Sequence, residues 1–153
     1  MILLISNILN AEQVRQVRET LGQTKFVAQK RGRATSGAET PVADAKIVKN
    51  TLQADITSPE YVRLNASLLP VIANNKTLEA SALPQKFTKL HFSRYHDNMS
   101  YAPHIDAALI GDVRSDVSFT LFLASPAKYE GGELTFVEAG GERPFKLPPG
   151  HMI

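Results

Sequence analysis

The sequence predicts an α+β protein, mainly β, in which helices come first and strands follow. Two observations carry that expectation. Before residue 80 lie two stretches with helical apolar spacing and start signals. From residue 86 onward, short β-branched and aromatic runs alternate with Pro, Gly, Asn and Asp. This order suits helices buttressing an antiparallel sheet or barrel. At 153 residues the chain has the length of one domain with a single core.

The elements follow in order. "MILLISNIL" (1–9) reads as a buried first strand, too short an apolar run to span a membrane and without the basic start of a secretory leader. Asn10 is then a helix N-cap, with Gln13 in capping-box position, Val14, Val17 and Leu21 on one face, and Gly22 as the stop. "KRGRATSGAETPVADAK" (30–46) lacks an apolar period and reads as a long loop, either a lid over a substrate or a crossover. In "TSPEYVRLNASLLPVIANN" (57–75), Ser58 caps a second helix, Pro59 takes its first position, and Val62, Leu69 and Ile72 line its apolar stripe. "KFTKLHFSRYH", "DVSFTLFLAS", "GGELTFVEA" and "RPFKLPPG" are the expected strands.

Composition excludes several functions. With no cysteine there is no disulfide, thiolate metal site or cysteine nucleophile, and a soluble cytoplasmic protein is the expectation. A net charge of +2 does not argue for a nucleic-acid or membrane partner. The basic run "KRGR" (30–33) has no neighbouring aromatics and reads as a solvated loop. No serine sits in a nucleophile elbow, and "GGEL" (131–134) lacks the lysine of a phosphate loop.

One pair points to metal chemistry. In "YAPHIDAALIG" (101–111), His104 and Asp106 project to the same side of an extended segment, because side chains there alternate with period two. An imidazole with a carboxylate suits Fe(II), Mn(II) or Zn(II). Taken alone, such a pair is more often a surface turn in which the carboxylate accepts a local hydrogen bond. His91 reads as a strand histidine bonded within the fold and His96 as part of an exposed turn. His151, directly after the Gly150 turn, is a poor candidate for a third ligand.

A set of motifs changes the weight of that pair. "RYHDNMSY", "HID", "RSDVSFTLFL", "YEGGEL" and "KLPPG" occur in this order, after an N-terminal "GRATSG" and "VKN". Together they resemble the bacterial PKHD-type (prolyl/lysyl-hydroxylase-type) Fe(II)/2-oxoglutarate-dependent dioxygenases, nearest to a branch associated with iron uptake. The resemblance implies a double-stranded β-helix, or jelly roll. Residues 1–80 would support it and 81–153 would form part of it, within one domain. It implies His104 and Asp106 as iron ligands, Tyr95 approaching the 2-oxoglutarate pocket, and Leu134 lining it. Arg114 and Asp116 would form a bracing ion pair or meet substrate.

The implied activity is oxidative decarboxylation of 2-oxoglutarate coupled to substrate hydroxylation by O2, with L-ascorbate keeping iron reduced. In the family, a second iron histidine lies about ten residues of strand, or about 33 Å, past the "KLPPG" turn, and a 2-oxoglutarate arginine follows it. Both positions would fall beyond Ile153. The closing strands would be missing, Fe(II) binding weak and turnover slow. An inactive truncated remnant and a non-enzymatic jelly-roll binding module are the alternative readings. A homo-oligomer is one way to cover the exposed edges.

Overall fold

The computed structural model describes residues 2–33 and 46–153. Helix α1 (Ala11–Gln23) starts at Asn10 as the sequence requires. The Asn10 side chain accepts from the Gln13 N–H, and the Gln13 side chain accepts from the Asn10 N–H, each at 2.9 Å. This capping box satisfies two backbone donors that helix geometry leaves open. Asn10→Ala is expected to lower stability by about 1 kcal/mol, read as a reduced urea midpoint at unchanged slope. Gly22 is not the stop: the helix runs through Gln23 to an extended cap at Thr24. A terminal glycine serves a left-handed turn, whereas here the chain leaves the helix straight into a strand.

The N-terminal run does not form the expected strand. Ile5 makes one bridge to Met152, with reciprocal N–H to carbonyl bonds of 2.8 and 2.9 Å. Leu3 and Leu4 are exposed, while the chain turns at Asn7 (φ 55°) and buries Ile8 and Leu9. A continuous apolar strand needs cover on both faces, and among the described residues this segment makes a ladder bridge only at Ile5.

Strands β1 (Phe26–Arg33) and β2 (Lys46–Ala54) pair antiparallel from Phe26↔Ala54 to Arg33↔Lys46, with a register shift between Arg31 and Gly32. The "KRGR" run is therefore strand, not loop, and so is position 46. Its polar sequence gives no local β signal, and the ladder to a partner some twenty residues away supplies the order. The remainder of the expected 30–46 loop, 34–45, lies outside the described residues.

Between β2 and the next helix, Asp55 makes a turn. Its carboxylate accepts from the Thr57 hydroxyl at 2.7 Å and the Thr57 N–H at 2.9 Å, with the Lys25 ammonium 3.7 Å away. The Thr57 hydroxyl and N–H, with a smaller contribution from Lys25, hold the carboxyl below its ordinary range. The folded-state value is thus the lower one, so the stabilisation is complete above the unfolded value of about 4 and disappears as pH falls through the folded value. Asp55→Asn is expected to be less stable at neutral pH, with the gap to the parent closing in melts below about pH 4.

Helix α2 (Pro59–Ala73) opens on Ser58, whose hydroxyl accepts from the Tyr61 N–H at 3.2 Å, with Pro59 in the first turn. Its buried stripe is Tyr61, Leu64, Leu68 and Ile72, whereas Val62 is exposed. Tyr61 sets this rotation. Its ring meets Phe92 edge-on at 5.9 Å, and its hydroxyl donates to the Leu90 carbonyl at 3.0 Å. A short helix α3 (Lys76–Ala82), capped by Asn75, was not expected from the sequence.

Two short strands add to the free edge of β2. β3 (Ser93–Arg94) pairs with Leu52 and Gln53, and β4 (Ser100–Tyr101) pairs with Lys49 and Asn50. They are two ends of one strand interrupted by a loop carrying Tyr95 and His96. The remaining hairpins are β5 (Leu109–Ile110) with β6 (Val113–Arg114), and β7 (Leu134–Glu138) with β8 (Gly141–Phe145). "DVSFTLFLAS" forms no named strand, but its centre pairs with the tail through Thr120–Ile153 and Phe122–His151 hydrogen bonds. Met152 thereby bridges both Ile5 and Leu121 and is almost fully buried in the core with Leu9, Val14, Val17, Leu68 and Ile72. The architecture is mixed α+β with several small antiparallel sheets. No ladder joins these sheets among the described residues, and no helix there is long and apolar enough to cross a membrane.

Candidate metal centre

The edge of β2 builds the site. Pairing of Lys49 with Tyr101 holds β4 in place, and the chain then runs through Ala102 and Pro103 to His104. The His104 imidazole stacks on the Tyr101 ring at 3.7 Å between centroids and 11° between planes. Its Nδ1 lies 2.9 Å from the Ala102 carbonyl oxygen, and its Nε2 lies 3.2 Å from Asp106 Oδ1. Ile105 between them is 97% exposed, so the two flanking side chains turn together while the middle one points away.

This arrangement has a specific chemical consequence. With the imidazole neutral and Nδ1–H donating to the Ala102 carbonyl, Nε2 presents a lone pair. That lone pair then faces a carboxylate oxygen, and two acceptors at 3.2 Å repel unless a positive charge sits between them. An imidazolium proton meets that need, and so does a metal cation. Donors bound at 2.0–2.2 Å and at right angles around one ion stand about 3 Å apart, so the pair has the span of adjacent ligands. The donor set of one imidazole and one carboxylate fits Fe(II), with the Ala102 carbonyl orienting the ring. No cluster of three or more His, Cys, Asp or Glu that could hold a metal occurs among the described residues.

The other expected site residues are placed unequally. Tyr95 follows β3 and is about half exposed. Partial burial, and then the nearby Tyr101, push its phenol above the ordinary value, so it remains a neutral donor. Arg94, before it, is used structurally: its guanidinium lies 3.9 Å over the Phe26 ring and donates to the Leu21 carbonyl. Leu134 opens β7, a strand laddered to β8 and not to the sheet that carries Tyr95 and Tyr101. Arg114 and Asp116 form an ion pair at 2.7 Å, largely exposed on both sides. His91 is exposed and outside any strand, contrary to expectation; His96 does occupy an exposed turn. His151 is half-buried, and its carbonyl accepts from the Phe122 N–H.

Sequence reasoning gave no role to Tyr101 or Lys49. The Lys49 ammonium lies 4.8 Å from the Tyr101 ring centre, and both line an open cavity of about 260 Å³ with Gln29 and Lys30. Only the β2–β4 register brings these residues together, so no local motif could have announced them.

No protein-family model matches the chain. Among curated proteins it is 40% identical over 156 residues to a PKHD-type hydroxylase of Crocosphaera subtropica, covering 100% of this chain and 67% of that relative. A PKHD-type hydroxylase of Rippkaea orientalis is 39% identical with the same coverage. One from Klebsiella pneumoniae is 34% identical over 97% of this chain and 65% of its own length. The chain thus spans about two thirds of the length of the curated relatives it matches.

Proposed function

The chain belongs to the PKHD-type hydroxylase family, and from that premise we propose that it works as an Fe(II)- and 2-oxoglutarate-dependent dioxygenase in which His104 and Asp106 hold the metal. The observation that carries this reading is the 3.2 Å approach of His104 Nε2 to Asp106 Oδ1, with Nδ1 engaged by the Ala102 carbonyl. Bound Fe(II) supplies the redox centre at which O2 oxidises 2-oxoglutarate to succinate and CO2 while a substrate C–H becomes C–OH. The protein's own contribution is positional. The Tyr101 ring and the Ala102 carbonyl fix the imidazole plane and tautomer, and Asp106 supplies the negative charge. Tyr95, a neutral phenol, donates a hydrogen bond toward the co-substrate, and Leu134 lines the same pocket once the family's jelly roll is assembled over one domain. L-Ascorbate serves as the reductant that returns iron to Fe(II). The motif order also favours the iron-uptake-associated branch, and the lack of cysteine is compatible with a cytoplasmic setting.

The test uses linkage. On this reading 2-oxoglutarate would bind together with Fe(II) at the His104–Asp106 pair, with its keto group required, so its presence must tighten Fe(II) binding by the same factor as iron tightens its own. In an anaerobic Fe(II) titration of the chain, 2-oxoglutarate is expected to raise the apparent affinity, whereas glutarate, lacking the keto group, is not. Equal effects of the two acids, or no effect of either, would contradict the reading.

A further inference from the structure

The run "VKN" (48–50) belongs to the sequence motifs, yet the metal reading gives its asparagine no part. The β2 ladder shows what lies beside it. β3 pairs Arg94 with Leu52 and β4 pairs Ser100 with Asn50, so a single β2 residue, Thr51, stands opposite the excursion 95–99. Five residues against one cannot form a regular ladder, and the excursion must be held in another way. Thr51 does not hold it. That residue is fully buried, and its hydroxyl has no hydrogen-bond partner among the described residues.

Asn50 supplies the contact. Its Nδ2 donates to the Asn98 carbonyl at 3.2 Å, across 48 positions of sequence. Asn98 has φ 63°, a left-handed conformation that asparagine tolerates, and the Met99 N–H closes a turn on the His96 carbonyl at 3.0 Å. The Asn50 amide thus grips a tight turn within the excursion. At the other end Arg94 fixes the chain, donating to the Leu21 carbonyl at 2.9 Å with its guanidinium over the Phe26 ring. Tyr95 follows Arg94 directly and lies between these two anchors. Its ring is half-buried, and that burial, with Tyr101 second, holds the phenol above its ordinary value.

We propose that Asn50 is a positioning residue for Tyr95: its side-chain amide, by gripping the Asn98 carbonyl, folds the 95–99 excursion against β2 and so aims the Tyr95 phenol at the co-substrate. The target of the phenol rests on the dioxygenase reading; the grip on the excursion does not. Asn50 touches neither the metal pair nor the reacting atoms, and it acts only through the loop it holds.

The experiment compares Asn50→Ala, Asn50→Asp and Asn50→Gln in the full chain. Aspartate keeps the shape but offers no donor at neutral pH, whereas glutamine keeps the amide donor. In the metal-free protein, exchange of the Met99 N–H is expected to quicken about fivefold in the alanine and aspartate variants, the worth of one hydrogen bond. The Tyr95 phenol, followed by NMR of labelled tyrosine, is expected to titrate closer to its ordinary value of about 10, because an opened loop loses burial. Glutamine should recover at least half of each change. Unaltered exchange across the β1–β2 ladder confirms that each variant is folded. In anaerobic Fe(II) titrations, the tightening produced by 2-oxoglutarate should shrink about fivefold in the alanine and aspartate variants, while Fe(II) affinity without it stays within about twofold of the parent. Unchanged Met99 exchange and Tyr95 titration in both variants overturn the proposal, and so does a glutamine variant no better than alanine. A 2-oxoglutarate effect that persists undiminished in the variants rejects the positioning role alone. Absence of that effect in the parent chain rejects the dioxygenase reading and, with it, the role that rests on it.

Discussion

Replacing Gly150 by alanine is expected to destabilise the fold by about 2–4 kcal/mol, although the residue lies far in sequence from the His104–Asp106 pair. Gly150 has φ +84°, a conformation in which a side chain is strained. A Cβ built there would also collide with the Leu9 carbonyl and reach 3.3 Å from a Val14 methyl. Neither neighbour has room to give. Leu9 is almost fully buried and its N–H bonds the Gly150 carbonyl at 3.2 Å, while the Gly150 N–H bonds the Phe122 carbonyl at 2.8 Å. The glycine is thus the crossing point of three segments: the N-terminal turn, the 120–123 run and the tail. Gly131→Ala is the control. Its φ of +62° is also left-handed, but nothing lies near its Cβ, so only the backbone cost of about 1–2 kcal/mol is expected. Urea unfolding followed by circular dichroism measures both. A Gly150→Ala protein within about 0.5 kcal/mol of the parent would refute the packing account.

His104→Ala is expected to lower Fe(II) affinity at least about a hundredfold in anaerobic titration, while changing fold stability by no more than about 1 kcal/mol. The asymmetry follows from exposure. The imidazole is 39% exposed and packs on the Tyr101 ring, so little burial is lost. Chemically it is one of two converging donors, and its removal leaves Asp106 alone as a carboxylate 58% open to water. Asp106→Asn should weaken binding in the same direction, because an amide keeps the shape but removes the charge. Alanine at His96, in an exposed turn before β4, is the matched control and should leave the titration unchanged. Iron binding that survives both His104→Ala and Asp106→Asn would place the metal elsewhere.

The legible parts of the fold were those whose cause lies within a few residues. Asn10 with Gln13 and Ser58 with Pro59 announced two helix starts, because a side chain three positions away satisfies an open backbone donor. The same-side placement of His104 and Asp106 follows from alternation across one intervening residue. By contrast, the β1–β2 ladder was hidden in a polar run read as loop, and the α2 stripe was misplaced onto Val62 because Tyr61 takes its position from Leu90 and Phe92. The first strand expected at "MILLISNIL" shrank to a single bridge, since its partner is the distant Met152.

By itself, then, the sequence determined the starts of the first two helices, a mixed α+β class and the two candidate ligands, all of them set by local geometry and side-chain chemistry. Tertiary structure decided the rest: that β4 docks on β2, that Tyr101 carries the His104 ring on its face, and that the Lys49 ammonium lies over the same ring. These depend on strand register and on contacts between residues about twenty to fifty positions apart. Such contacts exist only after the loop-closure entropy between them has been overcome, and no local pattern encodes that outcome.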